Sequence, residues 1–316
     1  MTPTLLRDQF RGMGSHVVLE IAGGTPGHLS LARDRLAFLE ARWSRFRPHS
    51  DLSRLNAAQG EPTVVDPSTM YLLEMMVQGF TLTDGSFDPT LLAPLVRLGY
   101  GASVHDPTAV TELPAGVQKR GFVRGLVVDA NAQTARLPPG TAIDAGGIGK
   151  GVAADMVAEL LMENGVTGAM VNVGGDVRVA GDGPHGGAWR VGVDAALQPD
   201  VEVMTVELSC GALGSSGTLR RSWLTPEGMP AHHLLDPASG HSLPGGFDAP
   251  VHATVVAPTA AVAEVHATMA LVRGAASALP RLQLEGLAAR VVHGNGQAYT
   301  NAQWDTLAVH PHGLSR

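Results

Sequence analysis

The sequence predicts an α+β protein with largely antiparallel sheets and helices packed on them. Strand-like segments come in runs, the densest lying between residues 168 and 208. Helical patterns sit between those runs and do not alternate with single strands, which argues against a regular βαβ architecture. The 39 glycines add many tight turns and close backbone approaches.

Residues 16–22 (HVVLEIA) read as a first strand, apolar and β-branched before Gly23-Gly24. Residues 27–46 read as a helix, with Leu29, Leu36, Leu39 and Trp43 recurring at helical spacings and Arg47-Pro48 ending it. Asp66-Pro67 supplies an N-cap and a first-turn proline for a second helix, which stops near Asp84-Gly85. Residues 100–142 read as small strands and turns. A third helix spans about 149–164, with Gly165 just past its end. Strands follow at 168–173, 176–180, 188–194, 202–208 and 251–257. A fourth helix runs from after Pro258 to Arg273-Gly274, and residues 287–293 close the chain as a strand. No linker divides the sequence, so residues 1–316 are expected to form one domain, with any smaller subdomain not delimited.

The composition is globular: 44% hydrophobic and 16% charged, with a net charge of -7. No basic stripe marks a nucleic-acid footprint. No apolar run of about 20 residues marks a membrane span. Neither a signal peptide nor a lipoprotein cysteine is evident, and Cys210 is the single cysteine, so a cytoplasmic protein is expected.

The densest chemical signal is Ile143-Asp-Ala-Gly-Gly-Ile-Gly-Lys-Gly151 opening a helix. Free N–H groups and the helix dipole there favour an anion. A P-loop would need glycine where Asp144 stands and Ser or Thr where Gly151 stands; a dinucleotide fingerprint would need glycine at Val152. A glycine-rich helix start with nothing bound reads equally well. Val173-Gly174-Gly175-Asp176 reads as a hairpin corner, and Ser215-Ser216-Gly217 as an anion-suited or plain surface turn. His232-His233 with Asp236 suits a metal site or a general base, or two solvated histidines. Glu264 and Thr268 share a helix face as hard oxygen donors suited to Mg²⁺; an exposed glutamate is the plainer alternative. Asp84-Gly-Ser-Phe-Asp-Pro-Thr90 is a turn with two carboxylates around an apolar ring.

Taken in this order, these segments resemble the FAD:protein FMN transferases of the ApbE type. The resemblance rests on Phe46 with Ser50–Asn56, Gly85–Thr90, Asp144–Gly151, Asn172–Asp176, Ser216-Gly217, His232–Pro237 and the Glu264/Thr268 helix, from about Met13 to about Gly274. It implies a T-fold-like α+β architecture. It also implies transfer of FMN from FAD through a phosphoester to a Ser or Thr of an acceptor protein, releasing AMP with Mg²⁺. By position, Met13, Phe46, Ser86, Phe87, Asp88, Asp144, Lys150 and Leu234 would line the FAD site. Gly147, Glu264 and Thr268 would ligate Mg²⁺, and His233 would sit at the reacting phosphate as the catalytic group. Two departures stand out: the family usually has Asp at the position of Glu264, and often tyrosine at Phe46. Two other readings use nearly the same residues, a non-catalytic flavin-binding protein and an Mg²⁺-dependent FAD pyrophosphatase.

Overall fold

The computed structural model describes residues 4–103, 106–193, 204–307 and 309–311. In chain order the elements begin with strands β1 (Leu5–Gly12) and β2 (Ser15–Ala22) and helices α1 (Pro26–Trp43) and α2 (Asp51–Ala57). Strand β3 (Thr63–Val64), helices α3 (Pro67–Leu82) and α4 (Leu92–Arg97), and strands β4 (Val127–Asp129) and β5 (Thr134–Arg136) follow. Helix α5 (Gly149–Glu163) leads into β6 (Gly168–Val173), β7 (Asp176–Gly181), β8 (Trp189–Gly192), β9 (Met204–Leu208) and β10 (Gly211–Gly217). Then come β11 (Ser222–Leu224), β12 (Pro230–His232), β13 (Pro250–Ala257), α6 (Ala260–Arg273) and α7 (Ala275–Leu284). The chain closes with β14 (Ala288–His293), β15 (Ala298–Thr300), α8 (Ala302–Asp305) and β16 (Val309–Pro311).

The chain divides into two compact units. The first comprises Met1–Leu36, Lys150–Leu219 and Pro244–Arg316. Its centre is an eight-stranded antiparallel sheet in the order β1-β2-β6-β7-β10-β13-β14-β15. The buried side chains alternate: Val17, Leu19 and Ile21 of β2 are fully buried on one face. Each such side chain contributes about 1.5–3 kcal/mol. Helix α6 lies against β10 and β13 on one face. On the other, the small β16-β9-β8 sheet packs Trp189, Val191, Val206 and Leu208 against Val177, Val179, Leu213 and Ala288. The second unit comprises Ala37–Gly149 and Arg220–Leu243. It holds α2 to α4, the β3-β5-β4 sheet and the β11-β12 ribbon. Trp43, buried there, donates its indole N–H to Thr69 Oγ1 at 3.2 Å.

The α+β antiparallel class read from the sequence is the fold observed. Several details differ. Helix α1 stops at Trp43, because residues 44–50 coil through turns closed by Arg47 N to Ser44 O and Ser50 N to Arg47 O. Strands β1 and β10 and helix α7 were not expected. β1 is a polar edge strand, β10 (GALGSSG) has no β-branched residue, and α7 carries Pro280 inside it. Within the expected strands at 188–194 and 202–208, positions 194, 202 and 203 lie outside the described residues. No described helix is long and apolar enough to cross a membrane.

Candidate functional site

In the first unit the signal is a buried charge cluster where α5 begins. Lys150 donates to Glu264 Oε1 at 2.5 Å and to the carboxylate of Asp176. Glu264 Oε2 accepts the Gly151 N–H at 2.8 Å, and Asp176 Oδ1 accepts the Ser215 N–H at 3.3 Å. Both carboxylates are essentially out of water. Two carboxylates thus share one cation, which leaves one net negative charge buried once both are ionised. Burial pulls the Lys150 ammonium down, but Asp176 and Glu264 outweigh it and hold the group at about 12. Burial and the facing Glu264 push Asp176 up to about 7, against the opposing pull of Lys150.

The backbone makes this closeness possible. A Cβ on Gly151 would lie 2.5 Å from Ala260 O, so α5 and α6 approach there only through glycine. A Cβ on Gly214 would lie 2.5 Å from the Glu264 backbone nitrogen, so α6 sits flush on β10. One turn beyond Glu264 on the same helix face, Thr268 Oγ1 meets Ser216 Oγ at 3.1 Å. Beside the carboxylates the unit therefore presents hard oxygen donors, and its surplus negative charge favours a small cation. That chemistry fits Mg²⁺ in kind. Among the described residues no group of three or more His, Cys, Asp and Glu forms a ready metal cluster. Also in this unit, Met13 occupies the β1–β2 turn with φ 52°.

The second unit holds the other expected residues. The Arg45 guanidinium lies 4.1 Å over the ring of Phe46 and 4.8 Å over that of Tyr100. It also bonds Thr111 Oγ1 at 2.6 Å and the Tyr100 carbonyl at 2.9 Å, and stands 3.5 Å from Asp144. Asp144 is fixed through its neighbour Ile143, whose N–H and C=O both bond the Asn56 amide. Asp88 is a buried turn-former: Oδ1 accepts from Thr90 N and Oγ1, and Oδ2 accepts the Gly121 N–H at 2.8 Å. Phe87 is buried and Ser86 nearly so. Gly147 turns the chain with φ 83° just before α5. His233 and Leu234 follow β12; Leu234 O accepts the Leu243 N–H at 3.0 Å, while the His232 ring reaches Leu243 O at 3.0 Å.

Within the first unit, then, Lys150, Glu264 and Thr268 converge along one face. Within the second, Phe46 and Asp144 share Arg45. Asp176 and Arg45 were not singled out as site residues in the sequence. Asp176 lay in a glycine corner that read as a plain turn. Arg45 precedes Phe46, but nothing local announces a cation stacked on two rings.

The ApbE family profile matches residues 13–291. An FAD:protein FMN transferase of Vibrio cholerae is 29% identical over 207 residues, 63% of this chain and 60% of that protein. The chain thus spans less than two thirds of that relative's length. One from Salmonella typhimurium is 28% identical over 264 residues, 81% of this chain and 74% of the relative. The solved ApbE protein of Thermotoga maritima superposes with a TM-score of 0.80 at 21% identity, covering 96% of this chain and 98% of its own. The apo flavinyl transferase ApbE of Pseudomonas stutzeri superposes at 0.77 and 22%, covering 97% and 98%. These two likenesses establish a shared fold.

Proposed function

The chain belongs to the ApbE family, and from that premise we propose that it transfers FMN from FAD to a Ser or Thr of an acceptor protein, releasing AMP. The observation that carries this reading is the oxygen-rich, net-negative cluster of Asp176, Glu264 and Thr268 at the glycine-opened start of α5. Phosphoryl transfer asks a protein mainly to neutralise charge and hold reactants in line.

Mg²⁺ would be held by Glu264 and Thr268 of the first unit, and when bound it would offset charge on the FAD pyrophosphate. Lys150 holds the Glu264 and Asp176 carboxylates close together in the folded chain. In the second unit Phe46, Ser86, Phe87, Asp88, Asp144 and Leu234 would bind and orient FAD. The acceptor hydroxyl oxygen attacks the FMN phosphorus, and the bond from that phosphorus to the AMP phosphate oxygen breaks. An imidazole nitrogen of His233 would take the hydroxyl proton.

The test is incubation with FAD, Mg²⁺ and a candidate acceptor, followed by a denaturing gel under ultraviolet light and assay of free FMN and AMP. Fluorescence on the acceptor supports transfer. Free FMN with AMP and no label means hydrolysis. Tight FAD without either product means a flavin binder.

A further inference from the structure

Helix α6 carries Glu264 and Thr268, and its start is fastened by a residue outside it. Asp155 lies on α5 four residues, one turn, beyond Gly151. Its Oδ1 accepts the Ala260 N–H at 2.8 Å and its Oδ2 the Ala261 N–H at 2.9 Å. Thr259, the residue just before α6, accepts the Val262 N–H through Oγ1 at 3.3 Å. The first three unsatisfied N–H groups of α6 are thereby all bonded, two of them by a side chain from another helix. Arg178 of β7 ties this point down further. Its Nε stands 3.4 Å from Asp155 Oδ1, and its Nη1 donates to Gly211 O and Pro258 O, each at 2.9 Å. The chain entering α6, the start of β10 and the α5 face are thus joined at one carboxylate and one guanidinium.

Ala260, Glu264 and Thr268 follow at four-residue spacing along one face of α6. On α5 the matching face offers Gly151 to Glu264 and Asp155 to Ala260. A slide or tilt of α6 released at its start would carry Glu264 away from Lys150 and Gly151, and Thr268 away from Ser216.

We propose that Asp155, braced by Arg178, is a positioning residue that sets where Glu264 and Thr268 stand, and thereby tunes the affinity of their divalent cation. This rests on the Mg²⁺ reading of that pair given above. Asp155 touches neither cation nor substrate, so it acts only through the helix.

The test uses the full chain and Mn²⁺ alone as probe, with free Mn²⁺ read by electron paramagnetic resonance. Temperature is kept well below each variant's melting point, so that only folded protein is sampled. Asp155→Ala, which removes both acceptors, is expected to weaken binding about tenfold or more, the range found when a partner behind a metal ligand is lost. Asp155→Asn keeps one acceptor oxygen and should fall between Ala and wild type; it carries the test if the alanine variant fails to fold. Arg178→Gln should weaken binding in the same direction. Combined with Asp155→Ala, it should add little, because both act at one joint. Wild-type affinity in both Asp155 variants, while the wild type binds Mn²⁺, overturns the positioning role alone. Failure of the wild type to bind Mn²⁺ overturns the metal reading, and the inference with it.

Discussion

Replacing Lys150 with methionine removes the one cation of the buried cluster while keeping a long apolar side chain in its path. Glu264 would retain the Gly151 N–H and Asp176 the Ser215 N–H. Two carboxylates with essentially no solvent exposure would then face each other without compensation. Removing one partner of a buried ion pair costs about 3–5 kcal/mol. At about 2 °C per kcal/mol for a long chain, the melting temperature should fall by about 6–10 °C at pH 8. The deficit should shrink as pH falls from 8 toward 5, because Asp176, already raised to about 7 with Lys150 present, takes up a proton and the repulsion ends. Millimolar Mg²⁺ should restore part of it, and a second change, Asp176→Asn, should restore most. Thermal melts followed by circular dichroism, with and without Mg²⁺ and at both pH values, read all three effects. A Lys150→Met protein that melts within about 1 °C of wild type at pH 8 refutes the account, since uncompensated buried charge at this depth is costly.

Gly214→Ala would press a Cβ into the α6 backbone at Glu264, and overpacking of this kind costs about 1–3 kcal/mol; flavin transfer should drop by more than the melting temperature explains, and an unchanged rate in kinetic assays contradicts the flush packing. Glu264→Gln keeps the shape but removes an anion, so the Mg²⁺ concentration for half-maximal activity should rise at least tenfold, checked by Mg²⁺ titration at fixed FAD. Burial pushes Asp155 up to about 6 against the N–H groups of Ala260 and Ala261 and the charge of Arg178, with Glu159 adding to the rise. A carboxyl raised above its unfolded 3.8 contributes stability that is present below that value and lost as pH rises through about 6. That amounts to ~3 kcal/mol at full effect. Urea unfolding of wild type and Asp155→Asn across pH 4–7 should therefore show the wild type losing stability relative to the variant between about 4 and 6; parallel curves contradict this.

Local signals made most elements legible. Asp66 and Pro67 open α3 as a side-chain cap and a first-turn proline, and Asp66 does accept the Ser68 N–H. The apolar runs of β6 and β13 sit in the middle of the large sheet, where both faces are covered. β10 was hidden for a reason its structure makes plain. Its glycine and serine content reads as a turn, yet Gly214 is small because α6 presses on it and Ser216 is polar because Thr268 meets it. In the charge cluster, Lys150 and Glu264 were each visible as chemistry. Their partnership was not, because it joins positions 114 residues apart. Asp176 was concealed in the same way, since a carboxylate in a glycine corner gives no hint of the lysine it will face. The clasp of Asp155 on α6 likewise depends on two helices brought together by Gly151.

The measurement that bears most directly on the proposed activity is the intact mass of a candidate acceptor after incubation with this protein, FAD and Mg²⁺, with AMP counted in the same sample. The expected result is an acceptor heavier by one FMN phosphoester, one AMP released per label, and loss of both when Mg²⁺ is chelated or His233 is replaced by alanine. An unmodified acceptor alongside stoichiometric free FMN and AMP, or labelling that survives chelation undiminished, would contradict it.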